Sequence, residues 1–157
     1  MNNSALIYTD GSCHTQLEIG AWASIIFVDD KKIILSETVE NTTHQRMELL
    51  AVISALHYIL KNYAEIKLVK IISDSQYVIG LMRRKEKLTA TDFKTKAQNE
   101  VRNTDLVKEL LRLSDIFKIE FEKIKAHQKQ TDITNYNIEV DKLCRNKVRE
   151  AVKKIES

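Results

Sequence analysis

The sequence predicts an α/β fold in which one mixed β-sheet carries helices packed against it. Three observations lead there. Three apolar, strand-like runs follow one another at the start of the chain, as in a meander; from about residue 42 helical and strand-like segments alternate; and 157 residues suit one ordinary domain, so residues 1–157 are read as a single unit.

Ala5 to Asp10 is the first run and Ala21 to Val28 the second, with Gly11 and Gly20 in the polar stretch between them. Asp29-Asp30-Lys31-Lys32 signals a turn, and Ile33 to Val39 alternates loosely as a third antiparallel strand. Thr42 with Gln45 three residues later is a capping-box pattern, and the run to about Asn62 is apolar over a wide arc, the mark of a buried helix. Lys67 to Ser73 is a β-branched fourth strand, and Ser75 to Met82 reads as a short helix. Arg83 to Asn103 has few apolar residues and is expected to project from the core. Asp105 to Leu113 is amphipathic, Phe117 to Ile124 alternates strictly as a half-exposed edge or near-edge strand does, and from Ile138 onward apolar residues recur at helical spacing. Trp22 is expected in the core.

Composition narrows the class. No apolar run approaches the roughly 18 residues a membrane span needs, and the polar Met1-Asn2-Asn3-Ser4 start is unlike a signal peptide, so a cytoplasmic location is the default expectation. Cys13 and Cys144 are too few for a disulfide framework and read as two partly buried thiols. The net charge of +3 is mild, but Arg83, Arg84, Lys85, Lys87, Lys94 and Lys96 face only Glu86 and Asp92 in the same stretch. Such a local excess suits an anionic partner.

Asp10, Glu48, Asp74 and Asp141 demand explanation, because at least two of them interrupt runs that otherwise read as buried strand. Asp10 is read as closing the first strand and Asp74 the fourth, with Glu48 one turn into the long helix and Asp141 near the start of the last. If the first and fourth strands are neighbours, the four carboxylates converge. Uncompensated, they would repel and at least one would take up a proton. Hard oxygen donors without a His or Cys cluster suit Mg²⁺, with Mn²⁺ as the alternative, and such ions serve phosphate chemistry.

The blocks Thr9-Asp10-Gly11-Ser12-Cys13, Arg46-Met47-Glu48-Leu49, Ser73-Asp74-Ser75-Gln76-Tyr77-Val78, Asn103-Thr104-Asp105-Leu106 and Lys125-Ala126-His127 followed by Asn137-Ile138-Glu139-Val140-Asp141 together resemble the bacterial type 1 ribonuclease H family over nearly the whole chain. The resemblance implies a ribonuclease H-like fold, with a five-stranded sheet in the order 3-2-1-4-5, and hydrolysis of the RNA strand of an RNA/DNA hybrid to 5′-phosphate and 3′-hydroxyl ends. It implies two metal ions bridged by Asp10, one completed by Glu48 and Asp74 and the other served by Asp141, with Glu48 sensing the 2′-hydroxyl and His127 assisting proton transfer or product release. For the substrate it implies a phosphate pocket at Thr43, with His44 and Gln45 in place of the amides more usual there, minor-groove contacts from Gln76, Cys13 and Gln16, and Gly11 among the substrate-binding residues. The protrusion at about 83–103 corresponds to the family's basic handle, with Arg83, Arg84, Lys87 and Lys94 for phosphates and Phe93 for a deoxyribose. A monomer needing no protein partner is expected. The competing classes are a DNA-cleaving enzyme on the same sheet and a non-catalytic duplex-binding module. The Glu48 and Gln76 blocks argue against the first, and the presence of all four carboxylates against the second.

Overall fold

The computed structural model describes residues 3–124 and 132–157, without the side chains of 132–135. Strands β1 (Ser4–His14), β2 (Ile19–Val28) and β3 (Lys31–Val39) form the antiparallel meander. Helix α1 (His44–Asn62) then crosses to β4 (Leu68–Ser73), which lies parallel to β1. Helices α2 (Gln76–Arg83), α3 (Lys85–Ala90) and α4 (Thr104–Ile116) lead to β5 (Lys118–Lys123), parallel to β4, and α5 (Asp132–Glu156) ends the chain. The sheet order is β3-β2-β1-β4-β5, with β5 the expected edge strand.

Alternation along the strands divides the core between the two faces of the sheet. Ile7, Ile26, Val69 and Ile71 pack with Leu49, Val52, Leu56 and Ile59 of α1 and with Leu110 and Leu113 of α4. Their neighbours Tyr8, Ile25 and Ile72 face the other way and pack with Val140 and Cys144 of α5. Trp22 is buried with Met47 and Ala51, as its place in the sequence suggests. No described helix is long and apolar enough to cross a membrane.

Three boundaries differ from the sequence expectation. β1 does not stop at Asp10 but runs to His14, because Gly11, Ser12, Cys13 and His14 keep pairing with Trp22, Ala21, Gly20 and Ile19 of β2. The cap of α1 is Thr43 rather than Thr42, its hydroxyl accepting the Arg46 backbone N–H at 3.2 Å. α5 begins at Asp132, so Asp141 lies about two and a half turns inside it rather than near its start.

The basic segment is also less detached than expected. Leu88 is buried and Phe93 half-buried against the main core, with Lys108 Nζ 5.2 Å from the centre of the Phe93 ring. Lys94 and Glu100 form an isolated bridge that closes the loop. Turns here use residues other than glycine: Glu18, Asp29, Asn41, Asp92, Phe93, Gln98 and Asn103 have positive φ, and no glycine does. Asn and Asp tolerate that region; the other three are held there against a steric preference.

Candidate active site

Asp10, Glu48, Asp74 and Asp141 line a single cleft of about 380 Å³, together with Gly11, Ser12, His44, Ser75, Gln76 and Arg145. Four separate elements deliver the carboxylates. Asp10 sits in β1 opposite Ala23, where Gly11 N–H donates to its Oδ1 at 2.9 Å. Asp74 follows the last residue of β4, and because β4 runs parallel beside β1, both chains present carboxylates at the same end of the sheet.

Glu48 reaches the cleft because Gly11 lets α1 approach the sheet so closely: a Cβ on Gly11 would lie 2.6 Å from Glu48 N and 2.7 Å from the Met47 carbonyl carbon. Asp141 is brought in from the opposite face. The Cys144 thiol donates to the Asp10 carbonyl at 3.3 Å, while Tyr136 packs against Tyr8 and Phe27 with ring centroids 5.3 Å and 4.7 Å away. Lys32 adds a 3.0 Å ion pair to Glu139 from the start of β3. Together these contacts fix α5 against the strand that carries Asp10.

The cleft is short of positive charge. Burial first, and then the negative charge of Asp74, push Asp10 up to about 8. Asp74, at the open rim, is also raised, by loss of hydration and then by the charge of Glu48. The other two carboxylates have partners within the protein. His44 Nδ1 lies 3.0 Å from Glu48 Oε1, and Arg145 Nε donates to Asp141 Oδ1 at 3.1 Å. The hydrogen bond to Glu48 holds the His44 imidazole above its ordinary value.

An all-carboxylate donor set around a half-neutralised cleft fits a hard divalent cation. The groups line the cleft without closing on one point: among the described residues, no three His, Cys, Asp or Glu side chains stand grouped to hold an ion.

The remaining sequence-derived residues fall into two regions. Gly11, His44 and Gln76 line the cleft, Cys13 is half-buried beside it with its thiol 3.6 Å from the Thr42 carbonyl oxygen, and Gln16 is exposed in the β1–β2 turn. Thr43 and Gln45 stand at the start of α1. Arg83 is the last residue of α2, and Arg84, Lys87, Phe93 and Lys94 follow it on the protrusion. His127 lies outside the described residues. Sequence reasoning missed Arg145, and it missed that His44 pairs with Glu48. The signal was present, since both pairs are spaced i,i+4 on a helix.

The comparisons agree with this architecture. A family model described as RNase H matches residues 2–149. The chain belongs to the ribonuclease H family. It is 37% identical over 150 residues to ribonuclease H of Acetivibrio thermocellus, covering 94% of this chain and 97% of that protein. It is 33% identical over 147 residues to ribonuclease H of Caldicellulosiruptor saccharolyticus, covering 92% and 96%. A solved structure of the foamy viral protease-reverse transcriptase in complex with dsDNA superposes with a TM-score of 0.69 at 21% identity, over 90% of this chain and 91% of that one, a likeness of fold. The five-stranded order implied by the ribonuclease H resemblance is the order found.

Proposed function

We propose that this protein is a metal-dependent endoribonuclease that hydrolyses the RNA strand of RNA/DNA hybrids, leaving 5′-phosphate and 3′-hydroxyl ends. One observation carries the chemistry beyond family membership: carboxylates from β1, α1, the end of β4 and α5 share one cleft, and Asp10, one of the two that are buried, is pushed up to about 8. A charge distribution of this kind favours bound cations. Asp10, Glu48, Asp74 and Asp141 would hold two Mg²⁺ ions, or Mn²⁺ in their place. When bound, such ions activate water and stabilise the leaving oxygen of an in-line phosphodiester displacement.

The chain's own residues do the rest. Glu48, already hydrogen-bonded through His44, presents its second oxygen to a 2′-hydroxyl, the group that separates RNA from DNA. Thr43 accepts the Arg46 N–H and keeps its O–H free, so that with the open amides of the first turn of α1 it can donate to a phosphate of the DNA strand. Gln45 stands with Thr43 at that phosphate pocket, and Gly11, Cys13, Gln16 and Gln76 supply polar contact to the duplex beside the cleft. Arg83, Arg84, Lys87 and Lys94 hold phosphates further along the duplex, and Phe93 meets the sugar backbone. His127 would act on the leaving group or the product. One domain suffices for this, acting as a monomer in the cytoplasm.

The test is cleavage of one end-labelled hybrid beside matched RNA/RNA and DNA/DNA duplexes, with Mg²⁺, with Mn²⁺ and with EDTA. Cutting of the RNA strand of the hybrid alone, only with metal, and its loss in Asp10→Asn are expected. Cutting of the DNA/DNA duplex, or activity in EDTA, would overturn the reading.

A further inference from the structure

The basic protrusion contains a cavity of about 390 Å³ with Arg84, Lys87, Lys94 and Lys96 around a floor of Leu88 and Val101. That volume lies within the roughly 300–1,000 Å³ of small-ligand sites. No carboxylate lines it, and among the described residues none of its four cations has an ion-pair partner. Lys85, on the same short helix, makes the contrast: it is paired with Asp115 and donates to Ser114 Oγ at 2.9 Å on α4. Cations on this segment are thus neutralised where they meet the domain and left unpaired where they meet the cavity.

The occupant must bring negative charge for the rim and an apolar face for the floor. A duplex offers its phosphates on a convex surface and hides the faces of its bases in the stack, so it can meet the rim without reaching the floor. An unpaired nucleotide offers both, since its base can bury one face on apolar side chains while its phosphates neutralise the cations. The position is also suitable. Gln76, in the carboxylate cleft, and Arg84, at the cavity, are separated by the eight residues of α2, about 12 Å of helix, so a strand leaving a duplex in the cleft arrives within a few nucleotides.

We propose that this cavity binds an unpaired nucleotide flanking or ending a hybrid, with its base on Leu88 and Val101 and its phosphates on Lys96 and on Arg84, Lys87 and Lys94 where these continue the duplex phosphate track into the cavity. The choice of nucleic acid rests on the function proposed above; the shape and charge of the site do not.

The experiment measures fluorescence anisotropy of a 3′-labelled, 5′-phosphorylated single-stranded pentamer in EDTA. Two variants leave the proposed duplex contacts in place: Thr91→Trp, an exposed lining residue whose indole would fill the cavity, and Lys96→Glu, which reverses one rim charge. Both should weaken pentamer binding at least about tenfold, and an abasic pentamer of equal charge should bind wild type more weakly by a similar factor, the scale of one stacked base. Cleavage of a blunt hybrid by both variants should stay within about twofold of wild type.

Unchanged pentamer binding in Thr91→Trp, or equal binding of the abasic strand, would overturn the proposal. So would displacement of the pentamer by a lower concentration of an Asp-rich peptide, which would assign the cavity to a protein partner. Loss of blunt-hybrid cleavage alongside pentamer binding would overturn it too, by placing these residues in the duplex track. Because the pentamer is single-stranded and metal is absent, failure of wild type to cut hybrids would count against the proposed function and leave this measurement intact.

Discussion

Gly11 and Glu48 are in backbone contact range: any side chain on Gly11 would begin 2.6 Å from the Glu48 nitrogen. The close approach of α1 to β1, and with it the distance between the Asp10 and Glu48 carboxylates, is therefore set by a missing methyl group. Gly11→Ala should push the first turns of α1 off the sheet, costing about 1–3 kcal/mol as overpacking does. Hybrid cleavage should fall at least about 100-fold, since a displacement of about 1 Å at a reacting centre has that effect. Urea unfolding and a cleavage assay on the same preparation check both, and a variant with full activity would show that α1 can yield without moving Glu48.

Asp10→Asn should separate stability from activity. A carboxyl raised to about 8 keeps its proton in the folded state while the unfolded chain releases it near 3.8. The folded state thus binds more protons between those values, and stability falls as pH rises through them. Asn carries no such penalty. In metal-free buffer at pH 8 the variant should melt higher than wild type by at least about 2–4 °C, the shift given by about 1 kcal/mol in a chain of this size. At pH 3 the two should coincide, and cleavage should be absent throughout. Equal melting temperatures at pH 8 would mean that Asp10 is not penalised by its surroundings.

Arg46 and Asp105 join α1 to α4 through two parallel hydrogen bonds, of 3.0 Å and 2.8 Å. The guanidinium holds the Asp105 carboxyl below its ordinary value of 3.8. The stability it supplies is present above that value and is lost as pH falls below it. Both groups face solvent in part, so Asp105→Asn should cost no more than about 1 kcal/mol at pH 7, and the difference from wild type should vanish in strong acid. Chemical denaturation at the two pH values measures it.

The two thiols should differ in access. Burial, and then the charge of Asp10, push the Cys144 thiol far up, and Cys13 is raised by burial and the charge of Glu18. Iodoacetamide at pH 8 should leave Cys144 unmodified in the folded protein, label Cys13 slowly, and label both quickly in urea, as mass spectrometry would read. Rapid labelling of Cys144 without denaturant would mean that α5 leaves the sheet readily.

Much of this was legible because carboxylates inside apolar segments are conspicuous, and because strand and helix periods change cleanly at α1 and β4. What was not legible depended on partners elsewhere in the chain. The stretch from Gly11 to His14 has no strand pattern of its own, and only its pairing with β2 keeps it extended. The first turns of α5 carry Thr134, Asn135 and Asn137, which mask its helical period. Thr42 and Thr43 are both acceptable caps in sequence, and the hydrogen bond to Arg46 decides between them. The pairing of His44 with Glu48 and of Arg145 with Asp141 needed only the i,i+4 rule.

The chain contains no proline, and its sharp turns are made by ordinary residues in left-handed conformation. Refolding therefore has no prolyl isomerisation to wait for, the step that commonly holds back a fraction of unfolded molecules for tens of seconds. The unfolded population is not divided into prolyl isomers, so no molecule is held back by that step from the search for the sheet.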